Sequence, residues 1–507
     1  MGIASFRSGR AGVVSVAVLL AAAAGPGCSG SGSGSSRQAD GGLGSGSGGG
    51  PGSLLGGPSN GGLGPDGGPC EGLECAIHSC AVGSTTISGT VYDPAGKNPL
   101  YGVAVFVPNA TPAPLTPGID ATSCSCSALY TGQPVASAIT DAAGSFTIQN
   151  APDGTNIPLV VQIGKWRRQL TIPRVTACLD NAQADHTLRL PRNQSEGDIP
   201  SIAVSTGGAD TLECLLRRVG VDAVEYCGGA GGPGRIHIFQ GGKDPMFTPN
   251  TSPPGPGSAT SLWDSAGDLN EYDIVLLSCE GAETQNPSPA NVYAYVNGGG
   301  RVFAEHYHYA FFTQTLSGGS GSPPFPMTLA AWTPDNSGAD EYPGAIGAAI
   351  ETGFPKGAAL KTWLGNVNAL VGDELPIAVA RHNALVAAAN APSTAWIQSG
   401  AGASPASTQY LSFDMPFDLA NAADGGAGRS QACGRVVYSD LHVGAAANDY
   451  PTGGKKGVPM ITPDGCSTAD LSADEKALEF MLFDLSACVT PIGSAPQAPP
   501  ASGPPPR

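Results

Sequence analysis

Ile274, Val275, Leu276 and Leu277 follow one another with no polar interruption. A strand with one wet face alternates polar and apolar residues; an unbroken apolar centre belongs to a strand covered on both faces. A helical stretch over 289–297 follows, closed by Gly298, and residues 301–305 repeat the buried-strand pattern. Strand, helix and strand in this order predict a right-handed βαβ unit. Upstream the alternation continues. Residues 202–205 form an apolar strand, Asp210 is placed to cap a helix, and Leu212, Leu215, Leu216 and Val219 share one helical face. Residues 236–239 read as a further strand. The expected architecture is an α/β doubly wound parallel sheet, beginning over 198–350.

From residue 356 to about 417 the pattern turns β-rich, with strands expected near 377–380, 385–388, 394–397 and 409–413. Residues 351–425 therefore read as a β-rich insertion packed on the sheet. Residues 430–490 complete the α/β domain with a strand over 433–440 and a last helix. That helix opens on a capping box, Ser472 with Glu475, and buries Leu478, Met481, Leu482 and Leu485. Residues 491–507 are rich in Pro and Ala and read as a disordered tail.

The first half of the chain has another rhythm. Over residues 84–192 short period-two segments alternate with turns such as 93–96, 141–144 and 152–154, and no helical period appears between residues 85 and 175. Short strands at this spacing predict a β-sandwich. The motifs ISGTVYDPAG, TDAAGSFTIQNAPDG and LVVQIG resemble the carboxypeptidase regulatory-like family, a transthyretin-like sandwich. The resemblance implies a non-catalytic accessory module. An insertion over 111–133, carrying Cys124 and Cys126, departs from the family's short loop and invites a disulfide staple. Lys165, Trp166, Arg167 and Arg168 form a dense basic cluster. Trp166 is a candidate stacking platform for an anionic or glycan ligand, against the plainer reading of an edge strand charged to resist aggregation.

Before residue 84 the chain prepares export. Arg7 and Arg10 precede an apolar run, residues 13–24, too short to span a bilayer, so residues 1–27 read as a signal peptide. The segment resembles a bacterial lipoprotein signal. That implies lipidation of Cys28 and a membrane partner through the anchor; Ser29 after it implies sorting to the outer membrane. Residues 28–69 are Gly/Ser-rich and read as a disordered tether with a root-mean-square reach of roughly 35 Å. A Cys-rich segment over 70–83 follows. Thirteen cysteines without zinc-knuckle spacing argue for disulfides in an oxidising compartment. The net charge of −17, with no long basic run, excludes nucleic acid as a partner. A carbohydrate or other cell-envelope component is the expected kind of ligand.

In open parallel sheets, ligands sit beyond the carboxyl ends of the strands. Four expected strand ends carry polar groups there: Asp210; Cys279 and Glu280; Glu305, His306 and His308; Asp440 and His442. If the strand ran on through 308, His306 and His308 would share a face, as would Asp440 and His442. Asp210, His306, His308, Asp440 and His442 are thus candidate ligand-binding residues. His306, His308 and His442 are candidate ligands of a divalent metal. Cys279, Glu280, Glu305, His306 and His442 are the catalytic candidates, since a thiolate needs an adjacent base oriented by a carboxylate.

The order YDIVLLSCEG, helix, GGRVFAEHYHY, then GRVVYSDLHV resembles the flavodoxin-like sheet of class I glutamine amidotransferase-like proteins, including the trehalose-utilisation type. Active members carry a nucleophilic cysteine on a glycine-flanked elbow. Here that place holds Ala304, Glu305 and His306, and Cys279 sits one strand earlier, so the resemblance implies a degenerate member. The expected function is a membrane-anchored lipoprotein with a non-catalytic binding or structural role at the cell surface. The alternative is a hydrolase or amidotransferase-like enzyme using Cys279 with His306 or His442.

Overall fold

A computed structural model describes residues 70–120, 124–241, 257–281, 283, 288–313, 324–335, 339–417, 432–443, 462–463, 465–467 and 469–501. The expected signal peptide, Cys28 and the tether lie outside the described residues. Within them the molecule is β-rich, with several sheets and few helices.

The N-terminal part builds two four-stranded sheets. Its strands are β1 (Thr86–Tyr92), β2 (Ala104–Pro108), β3 (Pro134–Ile139), β4 (Ser145–Ile148), β5 (Gly154–Ile163), β6 (Trp166–Val175), β7 (Asp180–Ala182) and β8 (Leu188–Arg189), with one helical turn, α1 (Cys126–Leu129), in the insertion. One sheet runs β4-β1-β7 with β8 also on β1; the other runs β3-β2-β5-β6. Alternate residues such as Ile87 and Val91, Val103, Val105 and Val107, and Leu159 and Val161 meet in one core. The period-two pattern thus does its work by sending every second side chain inward.

The C-terminal part runs β9 (Ile202–Ser205), α2 (Leu212–Arg218), β10 (Tyr226–Gly228), β11 (Ile236–Gln240), β12 (Gly257–Ser258), α3 (Ala259–Trp263), α4 (Ala266–Leu269), β13 (Ile274–Leu277), α5 (Pro289–Asn297) and β14 (Arg301–Glu305). Then come β15 (Ala331–Trp332), β16 (Ile346–Ile350), α6 (Pro355–Asn366), β17 (Leu375–Ile377), β18 (Val379–Ala380), β19 (Ala384–Leu385), β20 (Thr394–Ser399), β21 (Thr408–Met415), β22 (Gly434–Ser439), β23 (Leu441–His442) and α7 (Ala473–Ser486). The main sheet has the order β10-β11-β9-β13-β14-β22-β21-β20-β16-β17. Pairing is parallel from β10 to β22 and antiparallel beyond.

The central parallel strands carry apolar side chains on both faces because both are covered. Val204, Leu276, Phe303 and Val437 pack with α2 and α7, whereas Ala203, Val275, Val302 and Val436 pack with α3, α4 and α5. The capping box of α7 forms: Ser472 Oγ accepts from Glu475 N, and Glu475 reaches back to Ser472 N. Four large apolar side chains of α7, Leu478, Met481, Leu482 and Leu485, are buried, each contributing about 1.5–3 kcal/mol.

Several expectations are corrected here. The β-rich insertion does not pack on the sheet; β16, β17, β20 and β21 extend it in its own plane. Residues 355–366, taken as β, form α6, which starts with Pro355 in the first turn, where its missing N–H is no loss. Asp210 is not the cap of α2; Thr211 holds that position and Asp210 serves the site below. Residues 491–501, expected to be disordered, lie along the N-terminal sheets, where Ser137 Oγ donates to the carbonyl of a buried Pro499.

The two parts are bound tightly to each other. Cys124 and Cys126 pair with Cys433 and Cys488, so the insertion loop is stapled across to the C-terminal part. Trp363 Nε1 donates to the Pro99 carbonyl, and Tyr101 stacks on Phe480 of α7. Gly164, at φ 54° in the β5–β6 turn, lets the backbone approach the end of α7; a Cβ there would stand 1.9 Å from the Ser486 carbonyl oxygen. Trp166 is fully buried against Phe483 of α7, so it is no platform for a ligand. Its basic neighbours are committed as well. Lys165 pairs with Asp273 at 2.6 Å and Arg167 with Asp198 at 2.8 Å.

Candidate functional site

The parallel order places β9, β13, β14 and β22 side by side, so their carboxyl ends are consecutive neighbours. Beyond these ends stand Asp210, Cys279, His306 and, through β23, His442. Ligand atoms of Cys279, His306 and His442 all lie within 4.8 Å of one another. The two imidazoles meet edge to face, with ring centres 4.8 Å apart.

Backbone geometry explains how they converge. Strand β14 stops at Glu305, and His306 takes φ 36°, a left-handed conformation that costs a non-glycine residue on the order of 1–3 kcal/mol. The chain then turns into a short 3-10 helix over residues His306–Phe311. The turn from strand to helix is therefore sharp at His306. Cys279 follows β13 and is held from two sides. Its carbonyl accepts from Ala209 N at 3.0 Å, and its N–H donates to Glu305 Oε2 at 3.1 Å. Gly207 is required for the first contact, since a Cβ there would lie 2.2 Å from that carbonyl oxygen.

Each histidine is oriented by a carboxylate. His306 Nε2 donates to Asp340 Oδ2 at 2.7 Å, which leaves Nδ1 facing Cys279 Sγ at 3.5 Å. His442 donates Nδ1–H to Asp210, which leaves Nε2 available. Asp340 in turn accepts from Arg381 Nη1 at 3.1 Å. The Tyr438 hydroxyl sits between the His306 carbonyl at 2.9 Å and Asp440 Oδ1 at 3.1 Å, bracing the turn.

The electrostatics follow from burial. Desolvation pushes the Cys279 thiol well above its ordinary value, and the charge of Asp210 adds to this. Desolvation drives His306 down to about 4, against the pull of Asp340. Burial opposes ionisation of Asp340, but its bond to His306 and the charges of His306 and Arg381 outweigh that and hold it at about 2. Glu305 is pushed well above the carboxylate range by burial, then by Asp210. A neutral thiol beside a neutral imidazole is the resting arrangement; a bound cation would reverse the thiol's shift and reinforce that of His306, since a thiolate and a neutral imidazole are the ligating forms.

The structure thus brings Cys279, His306 and His442 together and turns other candidates away. His308 is not in the group. It donates Nδ1–H to the Glu305 carbonyl at 3.1 Å, stacks on Phe311, and its Nε2 is 3.9 Å from Glu280. The face-sharing rule fails because no strand continues past Glu305. Asp440 Oδ2 accepts from the backbone of Asn383 at 2.7 Å and Ala384 at 3.1 Å, so it holds a loop rather than a ligand. Glu305 accepts from the Cys279 N–H through Oε2. Sequence reasoning missed Asp340 and Arg381; neither sits in a recognisable motif, and only the chain's path past β15 brings them in.

No known family profile and no curated protein matches the chain. Among solved structures, a C-terminal interface mutant of a type II cohesin–X-dockerin complex from Acetivibrio cellulolyticus aligns at 16% identity over 29% of this chain and 76% of that one, with a TM-score of 0.15. The corresponding N-terminal interface mutant aligns at 17% identity over 27% of this chain and 85% of that one, with a TM-score of 0.16. At such scores neither likeness carries an argument about fold or function. Two facts bear on the compartment. No helix among the described residues is long and apolar enough to cross a membrane. Five disulfides among the described residues fit an exported, non-cytoplasmic protein.

Proposed function

We infer that this protein is an outer-membrane lipoprotein, anchored through Cys28, whose two-part head binds or supports a cell-envelope component, a carbohydrate being the expected kind, without turning it over. One observation carries the reading. The groups best arranged for chemistry are sealed, with Cys279 and His306 at 0% exposure and His442 at 2%. A nucleophile that no substrate reaches does no acyl transfer, however good its geometry.

The fold assignments behind this reading are part of it. The order β11-β9-β13-β14-β22, numbered along the chain, is 2-1-3-4-5, which supports a doubly wound flavodoxin-like sheet. His306 standing at the elbow in place of a nucleophile supports a degenerate amidotransferase-like domain. The paired N-terminal sheets support a carboxypeptidase regulatory-like accessory sandwich.

A second reading has its own observation. Cys279 Sγ, His306 and Asp340 stand in the relation of a nucleophile, base and orienting acid, at 3.5 and 2.7 Å. An amidotransferase-like enzyme would be labelled at Cys279 by a diazo-ketone glutamine analogue. The expected outcome is no label and no ammonia release from glutamine; a labelled Cys279 peptide overturns the non-catalytic reading. The anchor is tested separately by mass spectrometry of the N-terminal peptide. Diacylglycerol on Cys28 is expected, and an unmodified peptide beginning before Cys28 contradicts it.

A further inference from the structure

We propose that Cys279 Sγ, His306 Nδ1 and His442 Nε2 are the three protein ligands of one zinc-class divalent cation, with an enclosed water in the fourth position. This goes beyond the reading above and does not depend on the membrane anchor.

The ligand set comes first. One thiolate and two imidazoles suit a borderline-soft cation such as zinc and poorly suit calcium or magnesium, which take oxygen. Spacing comes next. Ligands about 2.0–2.3 Å from a tetrahedral ion stand about 3.3–3.8 Å from one another. Cys279 Sγ and His306 Nδ1 already do, at 3.5 Å. The widest pair in the trio is at most 4.8 Å apart, so closing it needs movement of about 1 Å.

The surroundings point the same way. A metal-bound histidine characteristically gives its other ring nitrogen to a carboxylate, which fixes the tautomer and raises ligand basicity. Both histidines do this here, His306 with Asp340 and His442 with Asp210. For a merely structural imidazole, a carbonyl would serve equally well, as it does for His308. Charge adds a further reason. Asp210, Glu305 and Asp340 are all at 0% exposure around the trio, and a buried concentration of carboxyl groups is stabilised by a cation among them. The ion would also join three strand ends, those of β13, β14 and β22. Because every ligand is sealed, it would enter as the domain folds and exchange slowly.

The test uses the full chain with its disulfides formed, expressed with added zinc and purified without chelator. Elemental analysis is expected to find about one zinc per chain. Cys279→Ser and His442→Gln lose it, while His308→Gln keeps it. Asp340→Asn retains all three ligands and weakens zinc about 10–100-fold in competition with a chromogenic chelator, the usual cost of losing an outer-shell partner. Should the ligand variants fail to fold, the unaltered chain still decides. Stripped of zinc and given cobalt(II), it is expected to show a thiolate-to-cobalt charge-transfer band and the visible bands of a tetrahedral ion. Absence of both zinc and the cobalt bands overturns the proposal. So does one zinc retained in a folded Cys279→Ser variant. Glutamine-analogue labelling is read independently, so failure here is distinguishable from failure of the non-catalytic reading.

Discussion

Arg435 shows how a single side chain can hold four elements. From β22 it donates to Asp414 of β21 at 2.6 Å and to Asp484 of α7 at 2.7 Å, while Lys356 of α6 takes the other Asp484 oxygen at 2.6 Å. All four groups are buried. Burial alone would raise Asp484, but Lys356 and Arg435 outweigh it and hold the carboxyl below its ordinary value. Removing one member leaves uncompensated charge in the interior, which costs about 3–5 kcal/mol. Arg435→Ala is therefore expected to lower the denaturant midpoint sharply; a loss under about 1 kcal/mol would show that the network carries little of the stability. None of this network is legible in the sequence, where Arg435 is simply a charge entering an apolar run. The site is legible in part. Cys279, His306 and His442 are visible as polar residues at strand ends, because strand ends can be read from periodicity. That His308 departs and Asp340 arrives cannot be read, since both depend on where β14 stops and how a distant loop returns.

At the scale of elements, the contact between the β1–β2 turn and α7 is sensitive to pH. Asp93, in that turn, and Glu479, on α7, are both buried and share a hydrogen bond. Asn98 Nδ2 also donates to Glu479 at 2.6 Å, and Lys476 lies near. Burial pushes Asp93 up to about 6; burial, then the charge of Asp93, pushes Glu479 well above its ordinary value. Folded-state values above the unfolded ones mean that the folded protein binds protons the unfolded chain does not. Their stabilisation is complete below the ordinary carboxylate range and is lost as pH rises through about 6 and beyond. Stability is expected to fall by on the order of 1–3 kcal/mol between pH 5 and pH 8 through this pair. Glu479→Gln, which imitates the protonated form, should flatten that fall in thermal melts; an equal slope in both proteins would rule the pair out as its source. Elements themselves were partly readable. The parallel strands and α7 are declared by continuous apolar runs and a capping box. The helix α6 was not, because its half-buried Lys361, exposed Thr362 and several small residues hide the helical period.

For the whole molecule, the decisive links are long-range and covalent. The Cys124–Cys433 and Cys126–Cys488 disulfides close separations of 309 and 362 residues. A sequence can announce that cysteines pair, but not which, since pairing is set by where the insertion loop lands on the second sheet. Replacing Cys126 and Cys488 by Ser together is expected to cost about 2–5 kcal/mol. It should also let the two parts melt separately in calorimetry, where the parent is expected to show one transition; a single transition in the variant as well would mean that the remaining contacts keep them coupled. The account as a whole turns on closure of the strand-end site. Alkylation of the native, unreduced protein by a small iodoacetamide, mapped by mass spectrometry, measures it directly. Among the described residues Cys227 and Cys279 are the thiols, both buried. Cys279 is expected to stay unmodified in the native state and to react fully only after unfolding with chelator present, whereas rapid stoichiometric labelling of native Cys279 would contradict a sealed site.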